Sequence, residues 1–386
     1  MTSRQFTLIL LVALVLGTAG WFLFHRGERS WESEPVSDHD KVLNFQLNDV
    51  AHVTIKDATS ELNLIRKADV WVVAERADYP ANFEQVSRLL QKVWDMKPVE
   101  TLQVGPSQFG RLQLIEPPEQ KSGTLLDLKD KDNKRITALL VGKQYLKKTE
   151  QSVAPGGYPA GRYVMPEDGT KHVFLIGDPL QDLITKPERW ISHDFLKIEK
   201  PKSIALDGKT PEMKWKIERT NESAPWQLAD LKPSEETDQT KASALASTFG
   251  NMSFADVLAP DTKPDTIGLD QPSTITIEAS HGLTYTLKIG QLKDEKYPVT
   301  VSLAAAPNEK PEEKKKQDEK LAQRKKLEGR PFLISKFTID QLLKKRADLL
   351  KPPPSPSPTP TPTTPASAKT KPSRLTTRSG EVDPAG

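Results

Sequence analysis

The chain has 386 residues, 36% hydrophobic and 28% charged, with 32 prolines, no cysteine and a formal net charge of +3. The missing cysteine excludes a disulfide framework, thiolate metal sites and cysteine nucleophiles. From Lys351 onward five basic residues face only Glu381 and Asp383, so residues 1–350 sum to zero and lack the broad basic field of a nucleic-acid-binding protein.

The first predicted element is the uncharged run FTLILLVALVLGTAGWFLF, residues 6–24. As a helix rising about 1.5 Å per residue it reaches about 28 Å, close to a hydrocarbon core of about 30 Å. Its small residues Thr18, Ala19 and Gly20 are followed by more apolar sequence, Trp21 to Phe24, which argues for an uncleaved anchor rather than a signal peptide. Arg4 on one side nearly balances His25, Arg26 and Arg29 on the other. The amino-terminal position of the span therefore sets the expectation: residues 1–5 in the cytoplasm, 6–24 across the inner membrane, and the bulk outside it. Residues 25–40 form a polar linker.

Two like stretches follow. VLNFQLNDVAHVTIKD alternates into Val53 and Ile55 as strand, and SIALDG (203–208) is its counterpart. ELNLIR pairs with MKWKIER, in which Met213, Trp215 and Ile217 face one way. WVVAERADYP, from Trp71, pairs with WQLADLKP, from Trp226, and these tryptophans are expected as equivalent core anchors. A helix follows in each copy. Asn82 caps one in which Val86, Leu89, Leu90, Val93 and Trp94 make a stripe, and Ala242, Leu245, Ala246 and Phe249 make the other.

Phe109-Gly110-Arg111-Leu112 is then matched with Ile267-Gly268-Leu269. Each is followed by a hairpin, and the hairpins end in the matching glycines Gly142 and Gly290. Matched landmarks lie about 150 residues apart and none is out of order. Copy one closes with a hairpin turning at Asp168-Gly169 and a short helix around Leu180 to Leu183; copy two closes with YPVTVSL, PFLIS and a helix from Ile339 to Leu350.

The expected class is α+β: a transmembrane helix, two tandem repeats of a mostly antiparallel sheet with packed helices (41–196 and 197–350), and a disordered Pro/Thr/Ser-rich tail, 351–386. The charged insert 307–330 in copy two reads as a solvated excursion, with a partner-contacting helical arm as the alternative. PPPSPSPTPTPTTP in the tail favours polyproline II, an extended spacer.

No nucleophile elbow, H-E-x-x-H helix, phosphate loop, dinucleotide fingerprint or EF-hand loop is present. GGYPAG (156–161) reads as a turn. His193-Asp194 is the single adjacent histidine–carboxylate pair, and chain neighbours point apart in a strand. His281-Gly282 fits a hairpin turn. Asp127 and Glu278 fall on the polar sides of their strands and read as solvated. No catalytic, cofactor-binding or metal-binding residue is predicted, and no cofactor.

The ordered landmarks, an amino-terminal span, W-x-[VL]-A, a helix, an F/I-G-x-L element and a strand ending in Gly142 or Gly290, resemble a bacterial family of membrane-anchored proteins, domain of unknown function 4340, over roughly residues 41–350. Arg111 departs from the usual Gly-Leu pair. The resemblance implies extracytoplasmic companions of ABC-type transport systems, including ones similar to gliding-motility transporters. The expected function is thus a non-enzymatic, membrane-anchored accessory protein of an ABC-type transporter permease or other envelope complex, with the bilayer as a second partner. The alternatives are a wall-polymer or small-ligand binding module using the cleft between repeats and, last, an envelope hydrolase.

Overall fold

The computed structural model describes residues 33–34, 41–147, 157–307 and 311–352. The 6–24 run and most of the tail lie outside them. Among the described residues no helix is long and apolar enough to cross a membrane.

The first half opens with a polar edge strand, β1 (Ser33–Glu34). Val42, Leu43 and Phe45 then bury their side chains without forming strand, and regular pairing begins only at β2 (His52–Lys56). Next come β3 (Glu61–Lys67), β4 (Val70–Val73), β5 (Tyr79–Pro80) and helix α1 (Phe83–Trp94). The Asn82 side chain accepts from the Gln85 N–H at 3.2 Å, satisfying one of the free donors of the first turn. Val86, Leu89, Leu90 and Val93 are buried as their spacing requires. Trp94 is not: it is 38% exposed, with the Lys41 ammonium over its ring. The half continues through β6 (Pro98–Leu102), the short helix α2 (Phe109–Leu112), β7 (Thr124–Lys129), β8 (Arg135–Lys147), β9 (Tyr158–Pro166) and β10 (Val173–Ile176).

The second half runs β11 (Pro201–Asp207), β12 (Lys214–Glu218), β13 (Gln227–Leu228), α3 (Gln239–Thr248), β14 (Asp256–Val257), β15 (Ser273–Ala279), β16 (Leu283–Ile289), β17 (Lys296–Ala305), α4 (Pro311–Arg324), β18 (Phe332–Ser335) and α5 (Lys336–Leu342). Asp238 caps α3 through the Thr240 and Lys241 N–H groups, and Ala242, Leu245, Ala246 and Phe249 are all buried.

The sheets have one topology. Sheet one is ordered β1-β6-β10-β9-β8-β7-β2-β3-β4-β5 and sheet two, read from its opposite end, β14-β18-β17-β16-β15-β11-β12-β13. From β6 and β14 onward the orders match strand for strand through β4 and β13. Only β1 and β5 lack partners, and all pairings are antiparallel. In half one β5 covers the β4 edge. In half two side chains take its place: Thr237 Oγ1 accepts from Leu228 N–H at 3.0 Å, and Gln239 bonds both backbone groups of Trp226, at 2.9 and 2.7 Å.

Trp71 (5% exposed) and Trp226 (4%) occupy equivalent places, each two residues before the strand residue, Val73 or Leu228, that pairs with Leu64 or Ile217 on the neighbouring strand. Gly142 and Gly290 are equivalent for a steric reason. A Cβ on Gly142 would lie 2.4 Å from the Leu112 carbonyl oxygen, and one on Gly290 would lie 2.3 Å from that of Ile267. This fixes Leu112 opposite Ile267 and shifts the motif match by three residues. The left-handed residue after Ile267 is Gly268 (φ 70°), and its true partner is Gln113 (φ 57°), not Gly110. Leu114 and Leu269 follow, each donating its N–H at 2.8 Å back to the start of the preceding turn.

Three further expectations are corrected. Residues 180–183 form a turn rather than a helix, because Leu180 takes a left-handed conformation (φ 46°) whose N–H is held by Asp178 at 2.7 Å. The closing helix of half two is Lys336–Leu342, followed by a separate 3₁₀ turn at Arg346–Leu349. Tyr158 to Gly161 belong to strand β9, not to a turn.

The insert is also docked rather than solvated. α4 turns Gln317 (3% exposed) inward, donating to the Gly282 and Ala306 carbonyls at 2.7 and 3.0 Å. One and two turns on, Leu321 packs on the core and Arg324 reaches the Phe195 carbonyl at 2.6 Å. Leu327 beyond them is buried. The stripe is one residue wide, so the surrounding charges hide it in the sequence.

Both halves feed one hydrophobic core, from Val42 to Leu349. The β2–β3 turn helps lock it to the segment before half two. Asp57 accepts from Thr59 N–H and Ser60 N–H, both at 2.8 Å, and from the Thr185 hydroxyl at 2.6 Å. Burial opposes its charge, but these donors outweigh it and hold the carboxyl at about 2, below its ordinary 3.8. A depressed folded-state value stabilises above the unfolded value and is lost as pH falls from about 4 through about 2. Asp57→Asn is therefore expected to lower stability by about 1.5–3 kcal/mol at pH 6 and by much less near pH 2, measured by urea unfolding across that range.

Candidate functional site

The first half meets the second where the β5 end of sheet one lies against the β14 end of sheet two. Tyr79, Phe195, Phe254 and Phe332 are all buried there, with ring centroids 4.8 Å apart for Phe195–Phe332, 5.0 Å for Phe254–Phe332 and 6.0 Å for Tyr79–Phe254. Edge-on and tilted packing of this kind suits the ring quadrupoles. Burial pushes the Tyr79 hydroxyl up to about 12, so it stays protonated. Beside the rings Arg76 forms a two-pronged ion pair with Asp256 at 2.7 and 2.8 Å, with Glu188 at 3.4 Å. The Arg330 guanidinium closes the rim, donating to the Arg76 carbonyl at 3.2 Å and lying over the Tyr79 ring. The space between the halves is thus filled by rings and paired charges.

The histidines and carboxylates weighed from sequence are dispersed. His193 is exposed and sets its ring 5.2 Å from Phe254, while the Asp194 carboxylate goes to Lys326 at 2.8 Å. His281 is half-buried in its turn; burial pushes its imidazole down and Lys320 adds to this, and its Nε2 has no hydrogen-bond partner among the described residues. Gly282 (φ 82°) completes that turn. Glu278 is exposed. Asp127 is corrected: it is 5% exposed, covered by Arg135 at 2.9 and 3.0 Å, with Lys129 at 3.7 Å. Alternation gave its face of the sheet, but not the arginine folded over it.

Sequence reasoning missed the network on that same face. His52 Nε2 meets Asn63 Oδ1 at 2.9 Å, Thr54 Oγ1 donates to the same oxygen at 3.0 Å, and Asn63 Nδ2 donates to Glu75 Oε1 at 2.9 Å. The cross-strand pairing Thr54–Asn63 brings them together, which needs the register rather than a motif. Among the described residues no group of three or more His, Asp or Glu side chains could hold a metal ion.

What the surface offers instead is grooves. One of about 260 Å³ lies at the start of α1, between Arg88, Arg189 and Asp182. One of about 380 Å³ lies on half two between Leu258, Ile267, Leu292, Pro298 and Leu333. A third, about 500 Å³ and polar, runs past Lys202, Lys216, Arg219 and Glu278. Each is lined by one half alone.

Two fused α+β halves of identical strand order, sealed by aromatic rings, define the class of this protein. The family model described as Domain of unknown function (DUF4340) matches residues 71–272, more than half of the chain, and the chain belongs to that family. The match begins at Trp71 and crosses the seam into half two. Among curated proteins none matches this chain, and among solved structures none does either.

Proposed function

We propose that this protein is a non-enzymatic, membrane-tethered accessory protein whose two-sheet body stands outside the cytoplasm and serves an ABC-type transporter or another envelope complex. The observation that supports it is the engagement of the polar side chains. Asp57 holds the β2–β3 turn, Asp127 is paired with Arg135 on its strand, Asp256 is paired with Arg76 at the seam, and Asp194 is paired with Lys326 at the surface. The apolar 6–24 run supplies the tether, and the family resemblance supplies the transporter association. A wall-polymer module working through a cleft between the halves is less well supported, because Phe254 and Phe332 fill that space. Affinity purification of the full chain from gently solubilised membranes is expected to recover a permease or ATPase subunit. Reproducible isolation of the chain alone overturns the reading.

A further inference from the structure

The insert of half two covers a turn that its counterpart leaves open. In half one the β7–β8 turn, residues 131–134, is exposed throughout. The equivalent β15–β16 turn, residues 280–282, is partly covered by α4. The Gln317 side chain donates to the Gly282 carbonyl at 2.7 Å and comes so near that a Cβ on Gly282 would sit 2.9 Å from its nitrogen. On the other side Ser280 donates its N–H and its hydroxyl to the Lys200 carbonyl, each at 3.0 Å. His281 lies between these two anchored residues, and its Nε2 is shut off from solvent with no hydrogen-bond partner among the described residues.

A neutral imidazole leaves one ring nitrogen unpaired in that place. A protonated one puts an N–H without an acceptor, together with a positive charge, into the same closed space. Two charged groups bear on the ring: Lys320 of α4, which opposes the charge, and the exposed Glu199 before β11, which partly offsets it. The other charges of these segments are engaged, Lys200 with Glu222 at 3.0 Å and Arg324 with the Phe195 carbonyl at 2.6 Å. On β16 burial pushes the Tyr285 hydroxyl up, so it stays neutral, and the end of β17 brings only alanines, Ala304 to Ala306.

Against this, α4 is lightly held. Its inward stripe is Gln317, Leu321 and Arg324, and its other described side chains are exposed. An element with so little buried surface opens at a lower free-energy cost than the sheet beneath it.

We infer that α4 is a pH-gated arm: it lies closed over the β15–β16 turn while His281 is neutral and swings away when that imidazole takes up a proton. Burial first, and Lys320 second, hold the ring below its ordinary 6.5 in the closed state, and the released turn, open to water, regains the ordinary value. The closed state thus takes up the proton less readily than the released one. Closure is fully favoured above about pH 6.5 and weakens as pH falls below it. Opening bares Leu321 and the turn, so the chain presents a free helical arm in mild acid and a docked one at neutral pH.

Amide hydrogen exchange of the full-length chain in mild detergent, at about pH 7.5 and about pH 5.5, reads α4 directly once rates are corrected for their intrinsic pH dependence. The window lies above the range in which ordinary carboxylates titrate. Residues 311–324 are expected to lose protection by about threefold or more between the two, while β2 and β3 keep theirs. His281→Gln should abolish this pH dependence with His52, His172 and His193 still present, and His281→Asn serves as a second neutral variant. Lys320→Gln, at an exposed site, should shrink the loss without removing it. Circular dichroism checks that each variant is folded. Protection of α4 that does not change across the window, that falls equally in β2 and β3, or that still falls to the same extent in the neutral variants overturns the inference.

Discussion

Trp71→Ala is expected to lower the stability of the protein by about 3–5 kcal/mol, the cost of removing a buried indole and leaving most of its cavity behind. Trp71 is 5% exposed on β4 and shares the core with the α1 stripe of Val86, Leu89 and Val93. Against a typical total of about 5–15 kcal/mol, the variant should be close to unfolding at ambient temperature. Trp226→Ala is expected to behave alike, with an added loss from the Arg219 guanidinium that lies 4.6 Å over its ring. Urea unfolding of both variants checks this. A loss below about 1 kcal/mol, the range of surface substitutions, would contradict the burial of these side chains.

The second large effect is expected at the seam. Phe332 is fully buried and its ring meets Phe195, Phe254 and Tyr79, so it touches side chains of half one, half two and the segment joining them. Phe332→Ala should cost about 3–5 kcal/mol as a cavity mutation. Its distribution is more telling than its size. With a continuous core, amide hydrogen exchange is expected to quicken in strands β2 and β3 as much as in β15 and β16, although Phe332 lies in β18. Faster exchange confined to half two would show that the halves unfold independently.

These two positions also show what a linear sequence conveys. Trp71, Trp226 and the helix stripes were legible because each is a periodic or local pattern, and their common order along the chain carries the duplication. Gly268 misled the motif match because a left-handed residue after a turn favours glycine without requiring it, and Gln113 takes that conformation in the other copy. The docked face of α4 was obscured because Gln317, Leu321 and Arg324 are separated by charged residues on every side. The Arg76–Asp256 pair was beyond reach: its members are 180 residues apart, and nothing in either neighbourhood names the other. The grooves are of the same kind, since a hole is defined by side chains that several strands fail to supply.

The meeting of unlike borders, the β5 end of one sheet against the β14 end of the other, has a structural corollary. Modules stacked this way make an array rather than a closed ring, and every finite array has two terminal units whose outward borders require shielding. Here β1 hydrogen-bonds along one terminus at Leu102 and Thr101, and the hydroxyl of Thr237 with the amide of Gln239 occupies the other. Those few groups cover the outward borders of the pair, so excising either module would strip a cap and bare the aromatic joint together.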